Sequence, residues 1–346
     1  MISFIQEHGL HAGPQRKLSF FSMTSVTRGY TTHLRPHLGF SYEVVGAMVE
    51  GDQTLSIVND AVVARKVQQF LEQHPKKLDE HIFPSTKQFL HQYNTPSSLK
   101  QYANLHNILS FYPLYFGIIG IYNALNRYVK ETSHELLTDD QLQKIGHLRN
   151  ELGGMYPIID IELIRQFDQS PHGRLLGFLT FGEMEPFLKN GTLPKNLADR
   201  PNGCIYLYVE DTNKEHRITE PKTVAECKRL LYPQFDSNAA EIKGQSIFPG
   251  KVSGTVAIVP RDTPLPADAV IITSMTTVNE THLISQARAV VADEGGILCH
   301  AAVIAREMGK PCIVGTKFGS KILKEGDKVE VDATNGTIYR IKTGSA

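Results

Sequence analysis

The segment that most narrows what this chain can fold into runs from Ala289 to Pro311, and it changes character twice. Ala289-Val290-Val291-Ala292 is a short apolar, partly β-branched run of the kind that forms a buried strand. Asp293-Glu294-Gly295-Gly296 then breaks the run, because paired glycines permit a tight turn and a close backbone approach. From His300 onward Ala301, Ala302, Ala305, Arg306, Glu307 and Met308 are good helix formers, and Gly309 with Pro311 supplies a stop. The pattern predicts a strand, a glycine turn, and a helix whose first turn carries one histidine.

A histidine in that position has a defined chemistry. Free backbone N–H groups and the positive end of the helix dipole make a helix N-terminus an anion site, and the same dipole disfavours the imidazolium form. Neutral imidazole is a nucleophile that forms covalent intermediates. A phosphoryl group attached to the ring would be held by the amides around it, and the small side chains of Ala301 and Ala302 are expected to leave access open. Cys299 beside it could be read as a nucleophile with His300 as its base, but sequence neighbours usually point apart. Arg306, six places on, is open between a phosphate contact and a solvated charge.

These residues resemble a known family. Gly295 to Gly315 is similar to the phosphohistidine signature in the mobile, swivelling domain of the phosphoenolpyruvate-utilising enzymes, and Cys299-His300-Ala301-Ala302 looks most like phosphoenolpyruvate synthase. Lys243-Gly244 through Ser253-Gly254 resembles the glycine-rich opening of that domain. Thr276-Thr277-Val278-Asn279-Glu280 resembles its middle motif, and Gly326-Asp327 with Asp332 to Gly336 its closing hairpin. The resemblance implies an α/β C-terminal domain of swivelling β/β/α type with His300 as its catalytic residue. Gly295, Gly296, Cys299, Ala301, Ala302 and Arg306 are then expected around the phosphate. Two departures stand out. Leu298 occupies the place of a threonine that regulatory kinases modify in some relatives, so that switch is expected to be absent. Val278 replaces a common proline.

The remaining chain is expected to be mainly helical from 1 to 155, with an α+β connector at 156–232, a linker at 233–240 and the phosphohistidine domain at 241–346. Residues 1–55 read as irregular. Asn59 caps a helix with Val63, Val67, Phe70 and Leu71 on one face, and Thr95-Pro96 opens another with Tyr102, Leu105, Ile108, Leu109 and Tyr112 on one stripe. Phe111 to Leu125 is nearly all apolar, but it is shorter than the ~20 residues of a membrane span and holds Pro113, Gly117 and Gly120, so a kinked core helix is expected. Its tyrosines could alternatively line a ligand pocket. Thr138 opens a helix with Leu142, Ile145, Leu148 and Leu152; Ile158 to Phe167 forms a short one; Thr180 with Glu183 is a capping-box pattern. Cys204 to Val209 pairs in a hairpin with Arg217-Ile218-Thr219, and Pro221 leads a last helix.

Composition removes several alternatives. Lys and Arg number 36 and so do Asp and Glu, leaving no bulk electrostatic case for nucleic acid or an anionic membrane. Cys204, Cys227, Cys299 and Cys312 show no CxxC spacing, no histidine spacing argues for a metal, and free thiols fit a reducing compartment. Gln6, Glu7 and His8 stand where a signal peptide needs an apolar core, so a cytoplasmic protein is expected.

Within the resemblance, relatives that charge the histidine from nucleotide use an ATP-grasp domain, and those that use phosphoenolpyruvate carry a barrel. Neither module, nor a Walker-type loop, is recognisable here. The chain is therefore expected to be a stand-alone phosphotransferase component. It would take its phosphoryl group in trans from an ATP-grasp or barrel partner and pass it to a small-molecule acceptor held by residues 56–232. No tightly bound cofactor is expected, Mg²⁺ arriving with ATP or phosphoenolpyruvate at the partner's site. A linker of roughly ten residues spans ~35 Å extended, enough to ferry a small domain between donor and acceptor. The competing expectation is a binding or regulatory protein that keeps the fold without turnover.

Overall fold

A computed structural model describes residues 1–16, 18–50, 53–132, 134–232, 236, 239–261, 263–276 and 280–341. The chain divides into two compact units, residues 1–233 and 234–346. Most of the expected linker, and Thr277, Val278 and Asn279 of the middle motif, lie outside the described residues.

The first unit is organised on an antiparallel sheet of β1 (His11–Arg16), β2 (Val44–Glu50), β3 (Gln53–Val58), β4 (Ile205–Val209) and β5 (Lys214–Ile218), ordered β1-β3-β2-β4-β5. Its helices are α1 (Ile2–Glu7), α2 (Phe20–Arg28), α3 (Arg35–Leu38), α4 (Asp60–Gln73), α5 (Phe83–Tyr93), α6 (Pro96–Tyr102), α7 (Ile108–Glu131), α8 (Asp139–Asp168), α9 (Phe181–Asn190) and α10 (Pro221–Leu231). One sheet face buries Met48, Leu55, Ile57, Ile205 and Leu207 with Ile5 of α1 and Val224, Cys227 and Leu231 of α10. On the other, Tyr206 meets Phe20 of α2 edge to face.

Three expectations are corrected. Residues 1–55 are not irregular: they supply β1, β2 and the start of β3. β1 is broken by a register shift between Ala12 and Gln15, and β2 is buried on both sides, so neither shows the alternation that marks a half-exposed strand. No domain boundary falls at 155/156. That point lies inside α8, which absorbs the short helix expected at 158–167, and β4 pairs with β2 across it. The apolar stripe drawn from Tyr102 to Tyr112 belongs to two helices, since α6 ends at Tyr102 and α7 begins after Asn107.

Other local readings hold. Asn59 Oδ1 accepts from Val62 N at 3.1 Å, and Val63, Val67, Phe70 and Leu71 are buried. Thr138 and Gln141 form a reciprocal capping box, and Glu183 accepts from Thr180 N at 2.9 Å. α7 is the one described helix long and apolar enough to cross a membrane, yet 72% of its apolar window is buried, packed on α2, α4 and α8. Its glycines serve close approach. A Cβ on Gly117 would sit 2.5 Å from His33 Cβ, and one on Gly29 would sit 2.7 Å from Gly117 N, so α7 and the π-helical turn Gly29–His33 touch through backbone.

α8 brings a carboxylate into this interior. Asp160, 3% exposed, accepts from Ser19 N at 3.2 Å, Ser19 Oγ at 3.0 Å and Ser22 Oγ at 2.5 Å, tying α8 to the start of α2. Burial pushes its carboxyl above the ordinary 3.8, against the hydrogen bonds from Ser22 and Ser19.

The second unit is an eight-stranded mixed sheet ordered β6-β13-β12-β8-β9-β10-β11-β7. Its strands are β6 (Glu241–Lys243), β7 (Gln245–Phe248), β8 (Lys251–Ile258), β9 (Ala269–Thr273), β10 (Ala289–Ala292), β11 (Cys312–Val314), β12 (Lys328–Asp332) and β13 (Thr337–Arg340). β8 to β11 run parallel, and β7, β12, β13 and β6 flank them antiparallel. Alternation along the parallel strands feeds two cores. Ile271, Val290, Ala292, Cys312 and Val314 pack with Ile284 of α11 (Thr281–Gln286) and with Ala301 and Ala305 of α12 (His300–Met308). Val270, Ile272, Ala289, Val291 and Ile313 pack with Val329, Val331, Ile338 and Ile322 of α13 (Gly319–Ile322).

Asp160→Ala removes the shared acceptor of Ser19 N, Ser19 Oγ and Ser22 Oγ and is expected to lower stability by about 2 kcal/mol in denaturant titrations at pH 7. Because folding raises this carboxyl's pKa, the native state holds the proton more tightly than the unfolded chain. Stability is therefore lost as pH climbs through the raised value. Asp160→Asn removes that part of the slope, measured as a smaller fall in unfolding free energy between pH 4 and pH 7.

Candidate functional site

The second unit's parallel strands end where the histidine turn begins. Asp293 N and Glu294 N extend the β10 ladder to Thr273 O and Ser274 O, both at 2.9 Å. The buried Asp293 carboxylate faces the other way along the fold. It accepts from Thr316 Oγ1 at 2.7 Å, from Ser320 N at 3.1 Å and from Ser320 Oγ, while its carbonyl takes Lys317 N at 3.0 Å. One side chain thus joins the end of β10 to the segment that opens α13.

Gly295 follows with φ at 111°, a region that favours glycine, and a Cβ there would lie 2.7 Å from both Cβ and Sγ of Cys299. Gly296 O accepts Cys299 N at 3.0 Å, closing a turn, and Leu298, 5% exposed, pins it to the interior. α12 then begins with His300 as its first residue and Cys299 as N-cap, with no side-chain bond capping it. Strand, glycine turn and helix-opening histidine stand as the sequence predicts.

His300 is half-buried, and its Nε2 lies 3.3 Å from Oγ1 of Thr281, the first residue of α11. The direction of that bond follows the tautomer: the hydroxyl donates to a bare Nε2, or Nε2–H donates to the hydroxyl. Thr281 was not singled out from the sequence. Its only signal there is that it directly follows Glu280, the last residue of the middle motif.

The other expected site residues divide. Gly295, Gly296 and Cys299 form the turn itself. Ala301 and Ala302 are buried, at 1% and 0% exposed, so their side chains belong to the core and only their backbone faces the helix end. The open access ascribed to their small size is therefore corrected; smallness serves the packing of α12 on the sheet. Arg306 reaches back toward the helix start and donates from Nη2 to Ile297 O at 2.5 Å, clamping the turn. Its other N–H groups engage no partner among the described residues. The thiols separate too: burial pushes Cys312 and Cys227 up and Cys204 up to about 11, while Cys299 is the partly exposed one. Among the described residues no group of three or more His, Cys, Asp or Glu is placed to hold a metal.

The Asp293 carboxylate generates a test. Asp293→Ala takes the acceptor from the Ser320 donors and leaves Thr316 Oγ1 only its 3.4 Å contact to Ala292 O, and is expected to cost about 2–4 kcal/mol, read by denaturant unfolding of the full chain.

Comparison with known proteins bears on the second unit. The family described as PEP-utilising enzyme, mobile domain, matches residues 265–336. A probable phosphoenolpyruvate synthase of Archaeoglobus fulgidus is 39% identical over 28% of this chain and 13% of its own length. One from Staphylothermus marinus is 43% identical over 38% of this chain and 16% of its own. A rifampicin phosphotransferase of Bacillus cereus is 26% identical over 46% of this chain and 18% of its own. The chain thus spans under a fifth of the length of these relatives. Among solved structures, holo aconitase X of Thermococcus kodakaraensis aligns at 18% identity over 30% of this chain and 100% of that one, with a TM-score of 0.26, too low to argue from. Residues 265–336, with the histidine turn at their centre, are a mobile domain of the phosphoenolpyruvate-utilising enzyme family.

Proposed function

We propose that His300 accepts a phosphoryl group and carries it to an acceptor, the chain acting as a phosphotransferase component. The observation that supports this most directly is the placement of a half-buried imidazole as the first residue of a helix without a side-chain cap. A neutral ring nitrogen attacks phosphorus, a P–N bond forms, and the bond to the leaving oxygen of nucleotide or enolpyruvate breaks. An acceptor oxygen then attacks phosphorus, loses its proton, and the nitrogen leaves with its lone pair restored. Nε2 is the nitrogen facing Thr281, whose hydroxyl steadies the ring and is positioned to donate to an attached phosphoryl oxygen.

The N-cap Cys299 puts no side-chain cap on the start of α12, where a phosphoryl oxygen could accept from the helix's first turn. Arg306 adds positive charge on the same side of the turn. The donor is a nucleotide- or phosphoenolpyruvate-bound partner of ATP-grasp or barrel type. Mg²⁺ would accompany the donor phosphates at the partner's site, where it would offset their charge. The acceptor is a small molecule, and the carrier histidine visits donor and acceptor in turn.

The test is labelling. The full chain is incubated with radiolabelled ATP or phosphoenolpyruvate, alone and with cell extract. Label stable in alkali and lost in acid is expected on the wild type and absent from His300→Ala, with Cys299→Ser retaining it. No label under any condition refutes the carrier reading and leaves a binding or regulatory protein that keeps the fold.

A further inference from the structure

The first unit contains a cleft of ≈ 520 Å³ that no part of the histidine chemistry uses, lined by Glu183, Asn196, Arg200, Glu215, His216 and Arg217 among others. Its size is that of a small-molecule site, and its chemistry mixes one buried and one exposed guanidinium with a carboxylate that keeps capacity to spare. The strand β5 sets this up. Glu215 and Arg217 are two residues apart, so both project on the sheet face shared with their partners Tyr208 and Tyr206.

Part of the cluster is structural. Glu183 caps the start of α9 and receives Nη1 of Arg200 at 2.6 Å and Nη2 at 2.8 Å, and a nitrogen of Arg217 completes it. Burial pushes the Glu183 carboxyl up, but hydrogen bonds from Arg200 and Thr180 and the charges of Arg200 and Arg217 hold it below its ordinary value. Two guanidinium groups on one carboxylate leave an excess of positive charge.

The unused capacity is specific. Arg200, 1% exposed, spends Nη1 on Phe178 O and Glu183 and Nη2 on Glu183 and Asn196, so it sets the positive wall of the cleft, and its buried Nε has no hydrogen-bond partner among the described residues. Arg217, 38% exposed along its side chain, spends only Nη1 on Glu183 and engages nothing else among the described residues. Glu215 accepts from Tyr206 OH at 3.1 Å on Oε1, while Oε2 takes no donor among the described residues. A bare anion would be drawn to the guanidinium groups and repelled by Glu215, and a bare cation the reverse. A ligand bearing both charges satisfies both.

We infer that this cleft binds a small zwitterion, a free amino acid or a short peptide. Its carboxylate would lie on the exposed guanidinium of Arg217, and its ammonium on Glu215. Nothing in this depends on His300 carrying phosphate, since binding is read without a donor.

The experiment is calorimetric titration of the full chain with glycine, L-serine and trialanine, with acetate and methylamine as single-charge controls. Saturable heat is expected from at least one zwitterion and from neither control; glycine or serine against trialanine tells a free amino acid from a peptide. Arg217→Ala and Glu215→Gln are each expected to weaken binding at least tenfold, with thermal melts confirming that both variants are folded. No saturable heat from any of the three zwitterions overturns the inference. So does equal binding of acetate, or affinity unchanged in both variants.

Discussion

The Asp293 carboxylate is the constraint from which the histidine turn takes its shape. It lies at the end of a strand buried on both faces, where β10 must give way to a turn. Buried, it can stay only if its oxygens are filled, and Thr316 and Ser320 fill them. That anchors the chain two residues before the glycine pair, so the φ of 111° at Gly295 is imposed from a fixed point. Cys299 packs into the space a Cβ on Gly295 would take, and His300 follows as a direct consequence. The orientation of the ring is then finished from a third segment, by Thr281 at the start of α11. Three pieces of chain distant in sequence converge on one imidazole.

The first unit shows the same logic in apolar terms. α7 can sit at its centre because Gly117 and Gly29 let two helical segments approach through bare backbone. That approach lets Tyr112, Tyr115 and Tyr122 be buried with their hydroxyls satisfied by Ser22, Leu152 O and Thr86. Read in isolation the same glycines look like kinks and the same tyrosines like a pocket lining. Partners from elsewhere in the chain decide the matter, and they make a packed interior.

This explains which features were legible in the sequence. The strand–turn–histidine–helix unit is local: each step is written in adjacent residues, and Ala289–Ala292, Gly295 and Gly309 behave as their types require. The caps at Asn59 and Thr138 are local too, as are the buried faces that follow them. What escaped was pairing over long separations. Nothing near Val44 to Val49 says that its neighbour will be Ile205 to Val209, so a sheet spanning the first unit read as a helical domain and a connector. The role of Asp293 was hidden for the same reason, its partners lying 23 and 27 residues downstream. The inward turn of Ala301 and Ala302 needed the sheet beneath them.

Five other helices of this protein open with a side-chain cap that α12 lacks, and the difference has an energetic meaning. Ser19, Asn59, Thr95, Thr138 and Glu220 each accept from a first-turn amide of the helix they open. α12 opens with Cys299, whose side chain makes no such bond. Omitting a good cap typically costs about 1 kcal/mol, a loss that a single substitution to serine or aspartate would remove. A capped helix start has its amides occupied, however, and cannot offer them to an incoming anion. The cost is tolerable because Asp293, Leu298 and the Arg306 clamp hold the turn by other means. Stability is supplied around the site and withheld at it, which is the arrangement a transient covalent anion on the first residue of the helix would need.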